Sequence, residues 1–176
     1  MKLYTSRPVI EELEKTKGDK REKMLGLIST REIPVLETSV EAEKLADIYV
    51  AENVIPVNYR TDGLHIAIAA VNDLDMIISM NFQHIVKRKT IKMTAAINSV
   101  NGYRAVEIYS PMVGGAEMKN NNAIEQDINR IRLEIYEETK GMTPEQRVEH
   151  TRKATDETIK KYGFKVIERV PHKKSL

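Results

Sequence analysis

The sequence predicts an α/β fold: a parallel sheet flanked by helices, with a helical extension at its C-terminus. Three observations point there. Short apolar runs at Ile33–Leu36, Met76–Met80 and Ala105–Tyr109 alternate with segments whose apolar residues recur at helical spacing. Parallel strands joined by helical crossovers give that alternation. The stretch Thr61-Asp62-Gly63-Leu64-His65-Ile66-Ala67-Ile68-Ala69-Ala70 is apolar nearly all round. A helix of that kind is expected inside the protein rather than on its surface. Beyond Gly114 the pattern becomes purely helical.

Each element has its own signal. Thr5 or Ser6 can cap a first helix with Pro8 in its opening turn. Val9, Ile10 and Leu13 are expected to face inward there, with Glu11, Glu12 and Glu14 on a solvated face. A second helix is expected from about Lys20 to Ser29, burying Met24, Leu27 and Ile28. In Ile33-Pro34-Val35-Leu36 the proline places the run at a sheet edge or at a strand's start. Ser39 caps a third helix with Ala42, Leu45, Ala46 and Tyr49 on one stripe. The buried helix follows, then Leu74–Phe82, which reads as a strand of a covered sheet ending in a polar pair. Lys87-Arg88-Lys89 leads a helix to about Val100, stopped by Asn101-Gly102.

The organisation expected is a domain over residues 1–113, a polar linker over 114–122 and a helical segment over 123–176. Ile124, Ile128, Ile131 and Ile135 form a narrow seam suited to a groove or a partner helix. Thr143-Pro144-Glu145-Gln146 opens the last helix with a capping box, and Gly163 closes it. The tail after Tyr162 is expected to be extended.

Composition narrows the function classes. The chain has 176 residues, 41% hydrophobic and 31% charged, so it can fold around one full core. The net charge of +2 is uneven: residues 1–117 carry 15 basic and 16 acidic side chains, and residues 118–176 carry 13 and 10. No cysteine is present, which excludes disulfides and thiolate metal sites and accords with a cytoplasmic protein. No long apolar span or leader is visible, so no membrane partner is expected. Gly-x-Gly-x-x-Gly and P-loop patterns are absent.

Three motifs in order, Thr5-Ser6-x-x-x-x-x-Glu12-Leu13, Thr61-Asp62-x-Leu-His-Ile-Ala and Ser79-Met80-Asn81-Phe82-x-His84-Ile85, resemble PIN-domain proteins. The group most similar is the ribonuclease toxins of toxin–antitoxin pairs, and the resemblance spans roughly residues 2–112. It implies a PIN-like parallel sheet and a metal-dependent endonuclease of single-stranded RNA. Glu12, Asp62 and Asn81 would be its catalytic residues, and Glu12 and Asp62 would hold Mg²⁺ or Mn²⁺. Hard divalent ions need only two or three carboxylates, because they keep several waters. Lys87, Arg88, Lys89 and Lys92 are candidate contacts for RNA phosphates. The family's first strand, which carries its first acid, has no counterpart here, so the sheet is expected to be short of one central position. Four lost apolar side chains would forfeit on the order of 10 kcal/mol.

Residues Asp127 to Glu145, with Arg130, Arg132, Tyr136 and Met142-Thr143-Pro144, resemble the small helical antitoxins encoded beside such toxins. A fusion of toxin-like and antitoxin-like parts is therefore expected, the tail packing on its own body or on a second copy in a homo-oligomer. Lys165, Arg169, Lys173 and Lys174 are the basic residues expected near Glu12 and Asp62. The alternative reading is a non-catalytic interaction module that binds and restrains a toxin. On the residues alone, Asp62 is equally readable as a helix cap and Asn81 as a turn residue. Glu12 is readable as part of the solvated face, the basic run as another, and His65 and His84 as packed, hydrogen-bonded histidines.

Overall fold

A computed structural model describes residues 2–79, 81, 84–110 and 121–171, with 121–125 described by their backbone alone. The fold is α/β, and every strand pairing among the described residues is parallel. The elements in order are β1 (Thr5–Ser6), α1 (Arg7–Lys15), α2 (Asp19–Thr30), β2 (Val35–Leu36), α3 (Val40–Ala51), a 3-10 turn at Val57–Tyr59, α4 (Arg60–Val71), β3 (Met76–Ile78), α5 (Arg88–Val100), β4 (Glu107–Tyr109), α6 (Asn121–Thr139), α7 (Pro144–Tyr162) and β5 (Val166–Ile167).

The strands fall into two ladders. One has the order β1-β2-β5, with Thr5 opposite Val35 and Val35 opposite Val166. The other pairs β3 with β4, Met76 opposite Glu107. The expected runs all become strands, each shorter than its apolar segment, and Met80 lies outside the described residues. β2 begins just after Pro34 and is the middle strand of its ladder, so the proline marks a start rather than an edge. β5 was expected as extended tail. It is extended, but Val35 and Glu37 donate to the carbonyls of Lys165 and Ile167 at 2.9 Å, which fixes the tail to the body's sheet.

The main core lies between α3 and α4. Ala42, Leu45, Ala46 and Tyr49 form the stripe read from the sequence, and Ser39 Oγ caps it by accepting from the Ala42 amide at 3.1 Å. Residues Thr61 to Ala70 of α4 are all buried. Gly63 of α4 packs against Tyr49 of α3 and against Ile55, and a Cβ there would sit in ordinary contact with their side-chain carbons at 3.5 Å. A second cluster joins α1, α2 and α7 through Ile10, Leu25, Ile28, Ile159 and Phe164.

Three expectations are corrected. Met24 and Leu27 are exposed, and α2 buries Leu25 with Ile28 instead, because the surface it meets is made by α1 and α7. β3 is not covered on both faces: Met76 and Ile78 are 40% and 52% exposed, as is half of Tyr109 opposite. The acidic face of α1 is not solvated. Glu11 and Glu12 are buried because α6 and α7 pack across that helix.

The two tail helices pack on the body of the same chain. Arg147 of α7 binds Glu43 at 2.7 Å and Asp47 at 2.5 Å on α3. Arg7 at the start of α1 reaches Glu37 at 2.8 Å and Asp156 of α7 at 2.7 Å. Among the described residues, no helix is long and apolar enough to cross a membrane. The expected linker falls mostly on residues outside the description, and α6 has begun by Asn121.

Candidate functional site: an acidic pocket closed by Arg132

The site forms where α1, α4 and the loop after β3 meet. Pro8 opens α1, and one turn on Glu12 points toward α4, 9% exposed. Asp62 sits in the first turn of α4, fully buried. Free amides and the helix dipole favour a carboxylate in that turn. No capping hydrogen bond is made by its side chain, however, so the cap reading does not account for it. Asn81 follows β3, and its Oδ1 accepts from the His84 amide at 2.9 Å. Its Nδ2 has no partner of its own but is near enough to Asp62 to favour the ionised carboxylate.

Into this pocket comes Arg132 of α6, itself 6% exposed. Its Nε donates to Glu12 Oε1 at 2.6 Å and Nη2 to Glu12 Oε2 at 3.3 Å, the fork geometry that makes arginine–carboxylate pairs strong. Its Nη1 stands against Asp62 Oδ1 as an ion partner. One guanidinium therefore spans both acids. Two contacts plus its own width hold their nearest oxygens within roughly 8 Å of each other.

His65, one turn further along α4, meets Glu12 Oε1 at 3.1 Å through Nε2. His84 stacks on Tyr59, ring centroids 4.0 Å apart. The hydrogen-bonded reading of His65 and the packed reading of His84 both describe what is seen.

Burial and Arg132 pull these groups in different directions. Burial raises the Glu12 carboxyl, but Arg132 and then His65 outweigh it and hold the group down at about 2. For Asp62, burial prevails over the same two neighbours and pushes it up to about 6. The difference follows from bonding: Arg132 donates to both Glu12 oxygens and His65 meets one of them, whereas Asp62 has Arg132 as an ion partner and a smaller contribution from Asn81. Burial lowers His84, reinforced by Arg132 and Lys87.

The chain matches no family model, no curated protein and no solved structure. The site must therefore be judged on its own chemistry.

Glu12, Asp62 and Asn81 come together in one pocket. Lys87, Arg88, Lys89 and Lys92 do not enter it; they are exposed at the start of α5, and Lys89 donates to the Asn53 carbonyl at 3.1 Å. The basic residues expected over the acids are corrected as well. Lys165 lies beside β2 and Arg169 pairs with Glu41 at 2.6 Å, while Lys173 and Lys174 fall outside the described residues. The paired β5 carries Lys165 and Arg169 along the sheet instead of across the acids. Arg132 takes the place foreseen for them. The sequence held a signal for it: Ile128, Ile131, Arg132 and Ile135 share one helical face, so a cation lies on an apolar stripe.

A divalent cation is chemically suited to the pocket. The oxygens come from two buried carboxylates, since Asn81 gives its Oδ1 to the His84 amide and turns its Nδ2 toward Asp62, and neither Asp62 oxygen has an aligned donor. Hard ions accept such an oxygen set. The Arg132 guanidinium supplies the positive charge there.

Proposed function

We propose that this chain is a PIN-like endoribonuclease fold joined to an antitoxin-like helical segment that holds it inactive. The observation that carries the reading is the Arg132 guanidinium lying against both Glu12 and Asp62. The acids are the ones the family resemblance selects, and the arginine belongs to the part that resembles an antitoxin. Their meeting in one buried pocket is what a restrained nuclease needs.

On this reading Glu12 and Asp62 hold Mg²⁺ or Mn²⁺ once Arg132 withdraws, and His65 keeps Glu12 oriented. Such an ion would activate water and offset charge on the phosphate. Asn81 lines the pocket, and the basic start of α5 offers Lys87, Arg88, Lys89 and Lys92 to the RNA backbone. A cytoplasmic setting and a homo-oligomer belong to the same proposal.

The test is cleavage of a labelled single-stranded RNA with Mn²⁺ by the full chain, Arg132→Ala and Arg132→Ala/Asp62→Asn. The expected result is cleavage by Arg132→Ala alone. Removing one partner of a buried ion pair costs about 3–5 kcal/mol, so Arg132→Ala should melt lower than the parent without metal and recover with Mn²⁺. A folded Arg132→Ala that neither cleaves RNA nor responds to Mn²⁺ overturns the enzyme reading. The second reading, a non-catalytic module that binds a toxin, is favoured by Arg132 occupying the place between the two acids, and that result would select it.

A further inference from the structure

We infer a second metal site, separate from the acidic pocket, formed by Glu11 of α1, Glu138 of α6 and His150 of α7. It would take a divalent transition ion of the zinc type. One donor atom from each of the three residues lies within 4.8 Å of the others. Glu11 Oε1 is 3.6 Å from His150 Nδ1, while Glu138 Oε2 makes its 3.7 Å approach to the other ring nitrogen, Nε2, so Glu138 has to turn toward the Nδ1 side to share an ion with them.

An independent observation turns this cluster into a site. Glu11 is 98% buried by the 2% exposure that remains, and its Oε1 has no hydrogen-bond partner. His150 Nδ1, which that oxygen faces, is buried and also without one. A buried carboxylate oxygen and a buried imidazole nitrogen left unpaired against each other are costly in a folded protein. At 3.6 Å they are too far apart to bond directly. That spacing suits donors sharing an ion: tetrahedral zinc, with bonds of roughly 2.0–2.2 Å, separates its ligands by roughly 3.3–3.6 Å.

The donor set points the same way. One imidazole and two carboxylates fit zinc or a similar borderline ion better than magnesium, which favours oxygen alone. Three protein ligands leave a fourth position for water. The neighbourhood is compatible: the Thr151 side chain is within reach of the Glu11 carboxylate, and Lys15 holds Glu138 through Oε1 at 2.6 Å, leaving Oε2 toward the histidine. Glu138 is half exposed, so its side chain can close on an ion at little cost.

The ligands come from the body and from both tail helices. An ion there fastens α6 and α7 to α1 at the residue directly before Glu12, where Arg132 binds. The fastening follows from binding alone; its effect on nuclease activity rests on the reading proposed above.

Calorimetric titration of the chelator-treated full chain with ZnCl₂ near pH 7.5 tests the site, because metal ligands bind in their deprotonated forms. One zinc per chain is expected, with Co²⁺ giving the visible spectrum of a nitrogen- and oxygen-ligated ion. His150→Gln and Glu138→Gln should each weaken zinc by at least about tenfold, the smallest loss usual even for a supporting residue. Glu22→Gln, at an exposed position of α2, should leave zinc affinity unchanged. Zinc bound by folded His150→Gln as tightly as by the parent overturns the inference, and so does a parent that binds none. Circular dichroism checks the fold of each variant; Glu138→Gln, altered at a half-exposed position, decides the matter if His150→Gln does not fold.

Discussion

At the scale of residues, the balance of buried carboxylates sets how this protein responds to pH. Glu12 is held at about 2, below its ordinary 4.5, so its contribution to stability is present above pH 4.5 and lost as pH falls toward 2. Asp62 at about 6 and Glu11 at about 7 are raised, Glu11 chiefly by burial. Groups raised in this way favour the folded state when protonated, and that benefit is lost as pH rises through 6 and 7. In metal-free buffer the melting temperature should therefore peak near pH 4, between the ordinary values of these groups and the lowered Glu12, and fall on both sides. Glu11→Gln should flatten the decline between pH 5 and 8, and Glu12→Gln the decline below pH 4.5. Thermal scans from pH 3 to 9 read both limbs. Elsewhere, Tyr49 Oη donates to Asn98 Oδ1 at 2.5 Å inside the core. Tyr49→Phe strands that oxygen and should cost about 1–3 kcal/mol in urea unfolding, with the packing of the ring unchanged.

Elements show where local chemistry suffices and where it does not. Helix α7 obeys its own sequence: Thr143 Oγ1 accepts from the Gln146 amide at 3.3 Å, and Gln146 Oε1 accepts from the Thr143 amide at 2.8 Å. Gly163 closes the helix at φ +65, a conformation a side chain resists. Thr143→Ala should cost about 1 kcal/mol, seen as a melting point lower by about 2–4 °C in a domain of this size. Both ends of α7 were readable because capping involves residues adjacent in sequence. The facing of α2 was not readable in the same way. Met24 and Leu27 are as apolar as Leu25 and Ile28, and the choice between them was made by the position of α1 and α7.

For the whole molecule, the tail is structural. Ile131 and Ile135 are buried at 1% and 6% exposure, and β5 adds a strand to the body's sheet. A chain ending at Gly115 would uncover Ile10 and Leu25, which pack with Ile159 and Phe164. It would also leave Glu12 and Asp62 without Arg132. Such a chain should be less soluble and should melt lower than the full protein, or lose its cooperative transition in circular dichroism. A shortened body with an unchanged melting temperature would show that the tail contributes no packing.

What the sequence determined by itself is the α/β alternation, the parallel pairing, the buried α4, the caps of α3 and α7, and the candidate set Glu12, Asp62 and Asn81. These depend on periodicity, on neighbours a few residues apart, or on motifs of fixed spacing. The division of the strands into two ladders, the pairing of β5 and the burial of Glu11 and Glu12 were decided only in three dimensions. So was the identity of the cation over the acids. Arg132 lies 120 residues from Glu12 in sequence. Four basic residues near the C-terminus had the same charge as Arg132, and nothing local distinguished it except its place on an apolar stripe. Charge attracts without regard to sequence distance, and only the packing of α6 across α1 and α4 determined which arginine could reach the pocket.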